Sequence, residues 1–283
     1  MASQTVRGVA AGSGRFVAVG GDGRVWRSDV DGTRWRCAAH PVATGLYAVA
    51  RGSGRFVAVG IGGAVLTSPD GRHWTPRRSG TNVNLHAVAW LGNHFLAGGD
   101  GGTLLRSRDG RQWRREGYPA FHSIRAFTWD PASGATVGTG AGSIAHRRAG
   151  GPWQVITPVG QGQFHTGAAF GEGAFVVSGH AGGLLVSPDA AAWSPAASGV
   201  ERNLDALIRT ADGFVTAGAG IALASSDGTT WTPIPWPTAR APRSMARQGS
   251  TLIAVGDART VVRRVGDGPA RLGHLPDCAR TTG

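Results

Sequence analysis

A tryptophan returns along this chain at a near-constant interval, as Trp35, Trp74, Trp113, Trp153, Trp193 and Trp231, with gaps of 39, 39, 40, 40 and 38 residues. A repeat of that length holding four short strands is the period of a propeller blade, whereas a helical solenoid would show apolar residues every ~3.6 positions. No stretch of the chain has that helical period. Folding the sequence on the tryptophan interval gives seven units, beginning near Val6, Leu46, Leu85, Ile124, His165, Leu204 and Arg243. They fill the chain, so residues 1–283 are expected to form a single all-β domain, a seven-bladed β-propeller with four antiparallel strands per blade. In the second unit the strands read Leu46 to Ala50, Arg55 to Gly60, Ala64 to Ser68 and Trp74 to Arg77. Between them stand Gly52-Ser53-Gly54, Gly62-Gly63 and Asp70-Gly71, where glycine supplies the positive φ of hairpin turns. The 47 glycines are therefore read as turn residues rather than as a sign of disorder.

Ahead of four of these tryptophans the same box is written out: Ser68-Pro69-Asp70-Gly71-Arg72-His73-Trp74, Ser107 to Trp113, Ser187 to Trp193, and Ser225 to Trp231. Unit 1 has it with one extra residue, as Ser28, Asp31 and Trp35. Units 4 and 7 have lost it, with Arg147 and Ala149 in one and Arg264, Gly266 and Ala270 in the other at the corresponding positions. Serine and aspartate side chains satisfy nearby backbone N–H groups in turns, and a large ring suits the space between packed sheets. The box resembles the Asp-box, or BNR, repeat of sialidase-like propellers and of the photosystem II stability and assembly factor family, in a variant one residue shorter. The resemblance covers nearly the whole chain. It implies that the box closes the hairpin between the third and fourth strands, with the tryptophan between blades, and that it specifies fold rather than activity.

The formal net charge is +12, and all 29 basic residues are arginine. Such a charge points towards polyanions, but a chain without lysine also fits a compositional bias, and the arginines cluster where outer strands profit from charge as edge protection. Nucleic acid is not the expected partner. The absence of lysine excludes Schiff-base chemistry, a pyridoxal phosphate anchor and a P-loop. With only Cys37 and Cys278, a cysteine zinc site is excluded as well. Those two lie in units that meet when the ring closes, but in a reducing compartment they are expected to stay free and buried. Met1 to Gly14 has neither the charged nor the apolar region of a signal peptide, and no 18-residue apolar run exists. The expectation is a cytoplasmic monomer with no membrane segment, no cofactor and no metal.

If the first strand of each blade is innermost, its second residue points to one mouth of the central channel. Across the units that position reads Arg7, Tyr47, His86, Arg125, Thr166, Asp205 and Arg243. The turn after the second strand, on the same face, reads Gly21, Ile61, Asp100, Gly140, His180, Ala219 and Asp257, and the links entering the mouth add Asn84, Tyr118, His122, His165, Glu201, Arg202 and Trp236. A repeat that keeps its frame while diversifying one rim is carrying a site there. Arginine forks suit carboxylate or phosphate, so Arg7, Arg125 and Arg243 are expected to converge on an anion. The ligand-binding set is completed by Tyr47, Tyr118, His122, His165, Trp236 and Asp257. One histidine with one aspartate suffices to move a proton near neutral pH, so His86, His180, Asp100 and Asp205 are the catalytic candidates.

Two classes of function stay open. The first is a small-molecule enzyme or receptor acting on an anionic or polar ligand by lyase, cyclase, isomerase or hydrolase chemistry. Sialidase chemistry itself fits poorly: Arg7, Arg125, Arg243, Tyr47, Glu201 and Asp205 mimic its residue types, but the family's early arginine motif and six-blade count are missing. The second is a non-catalytic interaction scaffold, as the assembly-factor resemblance implies. An enzyme requires a concave mouth with perturbed titrating groups, and a scaffold requires an exposed apolar and aromatic patch on one face.

Overall fold

A computed structural model describes residues 5–38, 44–119, 121–156 and 164–278. Seven sheets of four strands form a ring, and in each the strand order follows the chain, so every blade is contiguous and none borrows a strand. Blade 2 runs through Leu46–Gly52, Arg55–Gly60, Val65–Ser68 and Thr75–Arg77, all antiparallel. Blades 2, 3, 5 and 7 join their second and third strands through a one-turn 3₁₀ segment at Ile61–Gly63, Asp100–Gly102, His180–Gly182 and Asp257–Arg259.

The core lies in the seams between blades. Trp74 and Phe56 of blade 2 pack on Val17, Val19 and Val25 of blade 1, and Trp231 with Phe214 of blade 6 packs into blade 5 around Val176. The tryptophans are held by the turn that precedes them. Ser68 Oγ accepts the Gly71 N–H at 2.8 Å, Asp70 Oδ1 accepts the Arg72 and His73 N–H groups at 2.8 and 3.0 Å, and Trp74 Nε1 donates to the Gly71 carbonyl at 3.2 Å. Ser225, Asp227, Gly228 and Trp231 repeat the pattern. In blade 4, Arg147 replaces the serine, lies 4.8 Å over the Trp153 ring and bonds Glu116.

Not every glycine serves a turn. Gly60, Gly99, Gly140, Gly179, Gly218 and Gly256 end the second strand, and a Cβ on any of them would overlap a carbonyl oxygen at the start of the innermost strand of the same blade, that of the residue just before it or, for Gly218, of Asn203 three residues before it. Gly60 is extended (φ −170°), so close backbone approach is the requirement there.

The ring is closed by the C-terminal segment. Trp26 Nε1 donates to the Pro276 carbonyl and Arg24 Nε to that of Cys278, both at 3.0 Å, and a disulfide joins Cys37 to Cys278 across 241 positions of sequence. The expectation of two free thiols is thereby corrected: the last strand of blade 1 and the segment leaving blade 7 run side by side, which brings the two sulfurs to bonding distance. Among the described residues no helix is long and apolar enough to cross a membrane.

Candidate functional site at the channel mouth

Six innermost strands carry a register shift at their second residue: the pairing passes from Val6 to Gly8, Leu46 to Ala48, Leu85 to Ala87, Ile124 to Ala126, His165 to Gly167 and Pro242 to Ser244. The skipped residues are Arg7, Tyr47, His86, Arg125, Thr166 and Arg243. A bulge frees a residue from the ladder and re-aims its side chain, so the ring of unlike residues is a ring of bulges. In blade 6, Asp205 stands just ahead of its strand, held by its N–H on the Ala217 carbonyl at 2.9 Å. All seven residues line one cavity of about 270 Å³ at the channel.

Within the ring the groups are paired unequally. Arg243 grips Asp257 with two bonds of 2.9 and 3.2 Å and lies 3.7 Å from Asp205, while Thr5 Oγ1 also donates to Asp257 at 3.1 Å. Burial works against the Arg243 charge, but the Asp257 bonds and the two carboxylates outweigh it and push its pKa up. Asp205 is pushed up too, chiefly by burial, with Asp257 adding repulsion against the opposing pull of Arg243 and His180. Three arginines therefore do not converge on one anion: Arg243 is occupied, and Arg7 and Arg125 are exposed beside the opening.

On the other half, Arg7 lies 5.6 Å over the Tyr47 ring, which stacks on His86 at 5.2 Å and 10°. His86 Nε2 is 2.6 Å from Asp100 Oδ1, and Arg125 Nη1 is 3.4 Å from His86 Nδ1. Burial, followed by the Arg125 and Arg7 charges, pulls the His86 pKa down against the pull of Asp100. These contacts fit a neutral ring with its proton on Nε2, donating to Asp100 and accepting from Arg125. Asp100 also accepts from Ser123 Oγ at 2.8 Å and Asn84 Nδ2 at 3.0 Å; burial would raise its pKa, but these bonds and the histidine hold it below the usual carboxylate value.

The remaining candidates stand apart from this cavity. His180 stacks on Phe164 at 5.3 Å, next to the field of Asp205. Tyr118 packs edge-on against Trp153 in the seam of blades 3 and 4, and burial raises its pKa. His165 fills the first strand position, where other blades carry Val6, Leu46, Leu85 or Ile124, and is 5 % exposed with its pKa lowered by burial. His122 is exposed, with its carbonyl accepting the Gly102 N–H at 3.2 Å, and Trp236 is half-buried beyond the last strand of blade 6. In blade 4 the residue equivalent to Ile61 is Ala141, because Gly140 pairs with Ile124 as Gly60 does with Leu46. Among the described residues no cluster of three or more His, Cys, Asp or Glu is arranged to hold a metal ion.

For an exposed apolar patch the sequence offers Trp236, Phe121 and Tyr118; of these Phe121 is exposed on this face, and Ile61, Val83 and Phe164 join it without a sequence signal. Ile61 (39 %), Val83 (37 %), Phe121 (91 %) and Phe164 (49 %) are exposed. Since each blade begins and ends at the mouth, this strand-two turn and these three inter-blade links share the mouth face, in an arc from blade 2 to blade 5.

No family model matches the chain, and no curated protein does. Solved structures share its fold. "YCF48 bound to D1 peptide" is 18 % identical with a TM-score of 0.74 over 94 % of this chain and 93 % of that one. "Crystal structure of WD40 beta propeller domain of Doa1" is 16 % identical with a TM-score of 0.73 over 92 % of both chains, and "YCF48 from Cyanidioschyzon merolae" is 14 % identical with a TM-score of 0.72 over 94 % and 97 %.

Proposed function

We propose that this chain is a non-catalytic interaction propeller that binds a protein segment across the channel mouth. The observation that carries the reading is the arc of Ile61, Val83, Phe121 and Phe164 on the same mouth as Arg7 and Arg125. A partner would lay apolar side chains on the arc and direct a carboxylate, from an acidic residue or a chain end, to the two arginines. Proton-transfer chemistry is less well supported, because both ring nitrogens of His86 are engaged and Asp100 has three donors. One fold neighbour is described as bound to a peptide, which agrees with this use of the fold without assigning it. The disulfide belongs with an oxidising compartment rather than the cytoplasm expected from the sequence.

The test is a displayed library of 12-residue peptides, including free C-termini, selected on the wild-type protein. Selected binders should carry acidic and apolar residues, and Arg7→Ala with Arg125→Ala, or Phe121→Asp alone, should weaken them at least tenfold without a change in melting temperature. Binders indifferent to all three substitutions would overturn the reading.

A further inference from the structure

Six of the seven blade seams hold a cluster of buried apolar side chains, and among the described residues the seam of blades 6 and 7 forms no comparable one. Strand pairing aligns the copies residue by residue: Val262 pairs with Leu272 as Leu66 pairs with Pro76, so Ala270 stands where blade 2 has Trp74, and Arg264 where it has Ser68. Four positions that fill the seam of blades 1 and 2 are smaller here. Trp74 becomes Ala270 and Phe56 becomes Leu252 on one wall, and Val19 becomes Ala217 and Val25 becomes Ala222 on the other. The same seam holds a cleft of about 480 Å³, lined by Leu252 of these four and also by Val215 and Ala224, with Arg247, Arg264 and Asp267 at its rim. It opens on the face opposite the channel mouth, with the fully exposed Asp267 at its edge.

We propose that this cleft is a docking site for a tryptophan side chain carried on a segment of a partner protein, an indole replacing the missing seventh ring. The chain itself shows what the space accepts. At the equivalent place in blade 2, Trp74 lies against a valine-lined wall, and the glycine preceding it by three approaches Val17, the counterpart of Val215. The polar half of the site has a copy as well. In blade 4 the position of Arg264 is Arg147, whose guanidinium lies 4.8 Å over Trp153. Among the described residues Arg264 is held only by Asp267 at 3.8 Å, so it is free to cover an indole in the same manner. The cleft's size is within the ~300–1,000 Å³ range of ligand pockets, and its site is separate from the mouth.

The experiment uses the full chain and two probes, N-acetyl-L-tryptophanamide and free L-tryptophan, followed by methyl NMR at Val215 and Leu252. The amide should bind saturably, at least as tightly as the free amino acid, and shift both methyl signals. Ala270→Trp, which restores the ring in cis, should abolish those shifts and raise the melting temperature, and Leu252→Phe should weaken binding at least threefold. Arg7→Ala with Arg125→Ala should leave it unchanged, which separates this site from the mouth. Absence of binding at millimolar probe, binding that survives Ala270→Trp in a folded protein, or preference for the free amino acid would each overturn the proposal. If Ala270→Trp fails to fold, full-strength binding by Leu252→Phe overturns it instead.

Discussion

Serine and aspartate in the repeated turn do different amounts of work, although the sequence presents them as one box. Ser68 is fully buried and its Oγ receives a buried N–H, whereas the N–H groups bonded by Asp70 lie at the surface, where water can replace the carboxylate. Ser68→Ala should therefore lower stability by about 1–3 kcal/mol, the cost of an unsatisfied buried donor, and Asp70→Ala by only about 0.5–1.5 kcal/mol. Urea midpoints of the two variants check the order, and equal losses would contradict it. Burial would raise the Asp70 pKa, but backbone bonds from His73 and Arg72 hold it well below the usual carboxylate value. Its contribution is accordingly complete above about pH 4 and is lost only in stronger acid.

The innermost strand is the element on which the site depends. Its bulge turns one residue per blade into the channel, and the glycine ending the second strand lets the backbone before the bulge come close. Gly99→Ala would push a Cβ into the Asn84 carbonyl and displace the segment that carries Asn84, His86 and Asp100. Overpacking of this kind costs about 1–3 kcal/mol, and the variant should also lose the ring-current shifts that Tyr47 impresses on His86. Gly101→Ala, next to Asp100 in sequence but facing open space, reads the strain of a positive φ (59°) alone. It should leave those shifts in place.

Across the whole molecule, His86, His94, His146 and His165 all have lowered pKa values, each chiefly through burial, and His94 falls to about 4. The unfolded chain takes up these protons near pH 6.5 and the folded one only at lower pH, so the unfolded state binds more protons between. Stability is thus full above about pH 6.5 and falls as pH drops towards 4, before the carboxylates begin to titrate. Denaturant midpoints at pH 7.5, 5.5 and 4.5 should decline in that order, and His94→Gln should flatten part of the slope. A midpoint unchanged down to pH 4.5 would show that these rings charge as easily folded as unfolded.

Seven blades, four strands in each, and a ring of unlike residues at the second position of the innermost strand could all be read along the chain, because each depends on a local period: tryptophan every 38–40 residues and alternation within a strand. Pairing between blades has no such period. The bond of His86 to Asp100 stays within one blade and its partners could be paired from the repeat, but only the closed ring decided that Arg243 also approaches Asp205, that Arg125 reaches His86, and that Tyr118 packs into a seam instead of the mouth. The disulfide and the cleft between blades 6 and 7 belong to the same class, since each joins residues whose neighbours come from another blade. A side chain's strand position can be counted along one chain, but its partner is set by the angle and distance at which two sheets pack.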